Sequence, residues 1–207
     1  MFNIITQPTT IKDRHIITLT PIMERGIEFP DIGYTRFIVC TDTIETAKFK
    51  SQTLAVASVN GAFYTKGKGY VLGMPGLLLP DEKLCTFDPA VPGNLSYIDG
   101  CSNSNLIDPP RNGDPCLNYL YFPINIQQTF HTHPSVRIGF VVNGSGIADA
   151  DDTATELTAG SIFILDRHTK HRFRTTSNPM SLVAFHPDSE DGPKDEFNPM
   201  KSRTYIR

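Results

Sequence analysis

Five of the six histidines lie within a short stretch of the chain, at positions 131, 133, 168, 171 and 186. His131 and His133 are separated by one residue, in a segment (residues 129–133) that the sequence predicts to be a strand. Alternate strand residues project from the same face, about 7 Å apart at Cα, so the two imidazoles can hold one divalent ion between them. His171 begins a later predicted strand and is the natural third ligand. Imidazole suits zinc, iron, copper and nickel, whereas an isolated His-x-His pair is also common among surface or hydrogen-bonded histidines.

The spacing around these histidines extends the pattern. His131-x-His133 is followed by three residues, then Arg137, then six residues and Gly144. Gly160 is followed by five residues, a three-residue turn, two residues and then His171. These spacings resemble the two motifs of the cupin superfamily over about residues 116–186. The resemblance implies a jelly-roll β-barrel that binds one divalent transition metal (iron, zinc, manganese or nickel) through His131, His133 and His171. It also implies a homodimer.

The chain departs from the family pattern at several positions. Arg137 stands where cupins usually have a ligating Glu, and a guanidinium stays protonated and cannot bind a cation. Other family positions are occupied by Asn125, Asp166, His168 and Thr175. The expected site therefore has three neutral histidines and no carboxylate. The three-histidine iron dioxygenases among the cupins also lack the ligating Glu, so the resemblance permits that chemistry here.

Arg137 and His168 are the candidate catalytic residues beside the metal. Arg137 near an uncompensated divalent ion would make a positive pocket suited to a carboxylate or an enolate. The alternative is that Arg137 points outward or pairs with an acid such as Asp166. His168 could be a fourth ligand, an acid–base group or an exposed turn residue. His186 ends the last predicted strand and is expected to be structural, while either Gln127 or Gln128 could hydrogen-bond to a metal ligand.

The elements that must position these residues are short strands separated by Gly- and Pro-rich turns. We predict an all-β, cupin-type jelly-roll barrel core over residues 116–186. A β-rich N-terminal extension (1–115) would pack on it, with long loops around few strands in residues 60–115, and a C-terminal tail (187–207) would wrap the surface.

Asn143-Gly144 predicts a hairpin turn between two strands. A short helix is plausible at 42–50, and Tyr119 and Tyr121 are expected in the core or the pocket wall. The predicted barrel strands are 116–122, 129–133, 137–142, 146–150, 156–157, 161–165, 171–175 and 181–186.

Composition narrows the class of partner. The 207 residues carry a formal net charge of −3, so no basic excess favours nucleic acid or an anionic membrane. No apolar run approaches the roughly 18 residues of a membrane helix, and the N-terminal residues lack a signal-peptide pattern. The four cysteines have no metal-binding spacing and are expected to be free thiols in the cytoplasm. A small molecule is the expected partner.

Two functional hypotheses follow. The first is a metal-dependent cupin enzyme that acts on a small anionic molecule, with an iron dioxygenase preferred over an isomerase or lyase that uses zinc, manganese or nickel. The second is a non-catalytic module that binds a metal or a metabolite and has a sensing or regulatory role.

Overall fold

The computed structural model describes residues 1–111 and 113–188, and nearly all of its regular structure is β. The first eleven strands are β1 (Phe2–Ile4), β2 (Thr9–Lys12), β3 (Ile16–Pro21), β4 (Ile27–Phe29), β5 (Arg36–Cys40), β6 (Thr43–Thr46), β7 (Lys50–Gln52), β8 (Ala55–Val59), β9 (Phe63–Lys66), β10 (Gly69–Gly73) and β11 (Lys83–Thr86). They are followed by β12 (Leu95–Ser96), β13 (Ser102–Ile107), β14 (Cys116–Phe122), β15 (Arg137–Ala150), β16 (Thr153–Thr158), β17 (Ile162–Leu165), β18 (His171–Arg174) and β19 (Met180–His186).

The strands form three antiparallel sheets. The largest has nine strands in the order β1-β17-β15-β19-β14-β13-β12, with β16 and β18 also paired to β15. A six-stranded sheet has the order β11-β8-β5-β10-β3-β2, and a four-stranded sheet has the order β4-β9-β6-β7. Because β1, β12 and β13 belong to the large sheet, the predicted boundary at 115/116 does not coincide with a boundary between sheets.

The long strand β15 folds the large sheet over on itself. Its first part pairs with β17 and β19, and its last residues pair with β16 and β18. The pairing register shifts between Val141 and Asn143, and Gly144 follows with a φ of +73°. A Cβ at Gly144 would lie 1.9 Å from the carbonyl oxygen of Pro179, so only glycine fits there. The predicted hairpin at Asn143-Gly144 is therefore wrong, because the pair bends one continuous strand.

Three apolar cores hold the sheets together. The barrel core lies inside the folded-over sheet and includes Phe122, Phe163, Phe173 and Leu182. The inter-sheet core lies between the six-stranded sheet and the outer face of the large sheet, where the rings of Phe37 and Phe185 are 5.1 Å apart. The N-terminal core joins residues of the six-stranded and four-stranded sheets. The first half of the chain thus covers one outer face of the barrel.

The structure corrects further expectations. The short helix considered plausible at 42–50 is wrong, because this segment contains strand β6 and the first residue of β7. Residues 129–133 are not a continuous strand and make only an isolated bridge, between His131 and His171. Residues 60–115 contain β9 to β13 and so hold more strand than predicted.

Other predictions agree with the structure. The all-β class is confirmed, and β14, β17, β18 and β19 lie where strands were predicted. None of the four cysteines, all of which lie in the described residues, forms a disulfide. Among residues 1–111 and 113–188, the structure contains no helical segment with the length and hydropathy of a membrane span. Residues 189–207, most of the predicted C-terminal tail, lie outside the described residues.

Candidate metal centre

The three predicted ligands converge at one end of the folded-over sheet. One ring nitrogen of each of His131, His133 and His171 lies within 4.8 Å of the others. His171 is the first residue of β18, and the backbones of His131 and His171 exchange two hydrogen bonds of 3.0 Å. The His133 carbonyl accepts a 2.7 Å hydrogen bond from the backbone N–H of His168. Backbone pairing, rather than a regular strand, therefore holds the His131–His133 segment against β18.

Local hydrogen bonds orient two of the imidazoles. Nδ1 of His131 lies 2.9 Å from the carbonyl oxygen of Thr129, and Nδ1 of His171 lies 2.9 Å from that of Thr169. Because a carbonyl only accepts, both Nδ1 atoms carry the proton and both Nε2 atoms keep a free lone pair. Nε2 of His171 is buried and has no hydrogen-bond partner. A metal ion bound by these nitrogens would satisfy that buried lone pair, so the donor set fits a divalent transition metal.

The electrostatics keep two of these rings neutral. Burial, and then the positive charge of Arg137 and the neighbouring histidines, lowers the pKa of His133 to about 3. Burial is also the largest cause of the lowered pKa of His171, about 4, although the hydrogen bond to Thr169 opposes it. Since only a neutral imidazole binds a metal, both side chains are in the ligating form at neutral pH.

The histidines line a cavity of about 190 Å³ inside the barrel. Much of its wall is apolar, contributed by Leu120, Phe122, Phe163, Phe173 and Leu182. Its polar lining includes Arg137, His186, Asn118, Asn103 and Gln128. The arrangement resembles a typical ligand pocket, in which apolar walls surround a few polar groups that fix orientation.

Arg137 lies at this cavity and is 5% exposed. Its Nη1 donates hydrogen bonds to the hydroxyl of Ser135 and to the carbonyl oxygens of Ser135 and Val136. These contacts anchor the guanidinium at the first residue of β15. Its charge also lowers the pKa of His186, after the larger effect of burial.

His168 does not join the site. It lies exposed in the turn before β18, with a φ of +59°, and is not among the residues that line the cavity. Its backbone N–H donates a hydrogen bond to the carbonyl of His133. The structure thus separates His168 from the candidate catalytic residues, and the exposed-turn alternative describes its position.

Several lining residues were not singled out from the sequence. His186, expected to be structural, lines the cavity, as do Asn118 and Asn103. The even-numbered residues of β14 from Asn118 to Phe122 face the cavity, whereas Tyr119 packs on Phe87 on the other face. The sequence contained one signal for this: Asn118 is a polar residue that alternates in phase with the apolar residues Leu120 and Phe122. Gln128 is buried in the cavity wall, but its Oε1 accepts a hydrogen bond from the backbone N–H of Phe173, not from a metal ligand.

Comparison with known proteins agrees with this architecture. Residues 122–186 match the family model described as Cupin domain. A Cupin 2 conserved barrel domain protein from Leptotrichia buccalis is 14% identical, with a TM-score of 0.59, and the match covers 88% of each chain. Salicylate 1,2-dioxygenase from Pseudaminobacter salicylatoxidans is 8% identical, with a TM-score of 0.60, covering 87% of this chain and 76% of that one. The same enzyme in adducts with gentisate is 9% identical, with a TM-score of 0.58, covering 83% and 68%. No curated protein sequence matches this chain.

Residues 122–186 therefore match a cupin domain, and the folded-over sheet has the fold of the cupin structure that it resembles. At these identities the likeness to solved structures establishes the fold alone. The residues of the site itself must therefore carry any statement about chemistry.

Proposed function

We propose that this protein is a metal-dependent cupin enzyme that acts on a small anionic molecule, with an iron-dependent dioxygenase reaction preferred. One observation carries the proposal: three imidazoles converge on a cavity that also contains a buried guanidinium. His131, His133 and His171 would hold the metal. When bound, the metal would act as a Lewis acid or would bind oxygen.

The charge balance of the site favours an anion. Three neutral histidines leave the charge of a divalent ion uncompensated, and Arg137 adds a further positive charge. A carboxylate can accept two parallel hydrogen bonds from a guanidinium, so Arg137 would bind and orient the acid group. The apolar walls exclude water, which strengthens this charge pairing.

The size of the cavity favours a small ligand. A cavity of roughly 150 Å³ lined by apolar residues holds benzene, and this one measures about 190 Å³. It therefore accommodates one ring with a small substituent, or an aliphatic acid of similar size. The salicylate dioxygenase named above acts on an acid of this kind, but the proposal rests on the cavity.

A direct test combines metal analysis with turnover. The protein is purified without a histidine tag and analysed for metal, then loaded anaerobically with Fe(II) and assayed for oxygen uptake with aromatic acids, keto acids and diketones. We expect about one metal ion per chain and oxygen uptake with an acid of the panel. Failure to bind any divalent transition metal would overturn the proposal.

The same assay separates the enzyme from the second hypothesis. A protein that binds metal and a carboxylate but turns over nothing with iron, zinc, manganese or nickel would be a non-catalytic binding module. Homodimerisation and a cytoplasmic location stay predictions.

A further inference from the structure

Two asparagine side chains in the cavity wall have buried oxygen atoms without a partner. Asn118 lies on β14 and is 4% exposed, and Asn103 lies half-buried on the neighbouring strand β13. Both line the cavity, and Oδ1 of each is buried and accepts no hydrogen bond. Nδ2 of Asn118 donates a 3.0 Å hydrogen bond to Oδ1 of Asn105, which directs the Asn118 oxygen away from that contact.

Burying these two oxygen atoms without a hydrogen-bond partner destabilises the folded protein. A buried acceptor without a partner costs about 1–3 kcal/mol, whereas an apolar residue of the same shape costs nothing of the kind. The next cavity-facing residues of β14, Leu120 and Phe122, are apolar. An asparagine oxygen without a partner at such a position indicates that a hydrogen-bond donor bound in the cavity pairs with it.

The position of the asparagines relative to Arg137 limits the ligand. Asn118 pairs with Ala184 of β19, which pairs with Gly139 of β15, and Arg137 lies two residues before Gly139. Two strand spacings and two residues place the Cα atoms of Asn118 and Arg137 about 12 Å apart. Both side chains line the same cavity, so a small molecule bound there can contact Arg137 through a carboxylate and Asn118 through a hydrogen-bond donor.

We propose that Asn103 and Asn118 are specificity-determining residues, which select acids that carry a hydroxyl or amino substituent by accepting its hydrogen bond. This inference rests on the proposed function, because Arg137 is taken to bind the carboxylate. It adds the chemical class of the ligand: a hydroxy- or amino-substituted acid.

The test compares matched acids by equilibrium binding, without turnover. Zinc-loaded and metal-free protein are titrated with benzoate, with 3- and 4-hydroxybenzoate and aminobenzoate, and with the corresponding methoxybenzoates. Butanoate and its 3- and 4-hydroxy derivatives form an aliphatic set. Isomers with the donor next to the acid group are left out, since they could chelate the metal. At least one hydroxy- or amino-substituted acid should bind about tenfold more tightly than its unsubstituted and methoxy-substituted counterparts. This difference in affinity corresponds to the free energy of one or two hydrogen bonds.

Each result has a defined meaning. If the acids bind but the hydroxy and amino derivatives bind no better than unsubstituted or methoxy partners, the selection by asparagine is overturned and the proposed function stands. If no acid binds in either metal state, the anionic-ligand proposal and this inference are both overturned.

Substitutions test whether the two asparagines cause the preference for substituted acids. In Asn118→Leu the preference should fall to within about twofold, because the change removes the oxygen that accepts the hydrogen bond of the substituent. Asn103→Leu, at a less buried position, should also reduce the preference and replaces Asn118→Leu if that variant fails to fold. Ser104→Ala is the matched control on β13, since its hydroxyl accepts a hydrogen bond from the backbone of Asn94 and does not line the cavity. A preference retained in both leucine variants would contradict the inference.

Discussion

At the residue scale, two metal ligands share one local arrangement. In both Thr129-Phe130-His131 and Thr169-Lys170-His171, the carbonyl of the threonine accepts a hydrogen bond from Nδ1 of the histidine two residues later. The backbone thereby fixes the tautomer before any metal binds. The His131–His171 bridge then brings the two units together.

The first prediction concerns metal content. The variants His131→Ala and His171→Ala should each lose bound metal, because each leaves only two of the three imidazole nitrogens that bind the ion. His168→Ala, a change of an exposed histidine in the same segment, is the control and should keep full occupancy. Elemental analysis of tag-free protein gives the answer, and metal-replete protein from both ligand variants would refute the site.

The second prediction concerns Arg137. Arg137→Met preserves much of the buried volume but removes the charge, so metal content should persist while the affinity for a carboxylate falls about 10- to 100-fold, the value of one or two charged hydrogen bonds. Calorimetric titration of zinc-loaded protein measures the loss. Equal affinity in variant and parent would show that the anion binds elsewhere.

The third prediction concerns pH. Because the pKa of His133 and His171 is about 3 and about 4 in the folded state, the unfolded chain binds more protons below about 6.5. Stability contributed by the two neutral rings is therefore complete above pH 6.5 and is lost as the pH falls toward 4, by roughly 1–2 kcal/mol per ring at pH 5.

Thermal unfolding of chelator-treated protein at pH 7 and pH 5 tests this dependence. His171→Gln should show a smaller fall in Tm between the two pH values than the parent, and the exposed-site control His168→Gln should show the full fall. An identical fall in all three proteins would mean that other groups cause the acid sensitivity.

At the element scale, β15 determines the shape of the barrel, and Gly144 is the residue that lets it bend. Gly144→Ala should lower the free energy of unfolding by at least about 2 kcal/mol, since an L-residue is strained at positive φ and its Cβ would also strike Pro179. Gly76 has a φ of +88° with no atom near its missing Cβ, so Gly76→Ala measures the strain alone. Urea unfolding of both variants checks the difference, and equal losses would rule out the steric contact.

The elements also show what the sequence could and could not predict. Strands β14, β17 and β19 are short, largely apolar runs in which most residues are buried, so these strands and the spacing of the histidines were predictable. The path of β15 was not predictable, because Asn-Gly is typical of a hairpin turn. The close approach of Gly144 to Pro179, which is distant in sequence, goes with a strand that continues, and no local pattern reports it. The meeting of Asn118 and His186 with Arg137 at one cavity depends likewise on pairing across β14, β19 and β15, which no local pattern reports.

At the scale of the whole molecule, the barrel depends on the first half of the chain. Ile138, Phe140, Val183 and Phe185 point away from the cavity into the inter-sheet core. Removing the six-stranded sheet would expose this apolar face, which is far larger than isolated apolar residues on a normal surface.

The last prediction follows from that dependence. A fragment of residues 116–186, the barrel core predicted from the sequence, should not fold cooperatively on its own. Circular dichroism and nitrogen–proton correlation spectra of the fragment and of the full chain make the comparison. A fragment with dispersed resonances and cooperative unfolding would contradict this expectation.

Strand β19 serves both sides of the sheet at once, with Phe185 in the inter-sheet core and His186 in the cavity. Gain or loss of one residue within it would exchange the two faces, turning aromatic rings into the cavity and a histidine into the apolar interface. Natural lineages of this protein should accordingly tolerate substitutions in β19 but no change in its length. Insertions and deletions should instead accumulate in the turns, where a change in length does not alter which face each strand residue occupies.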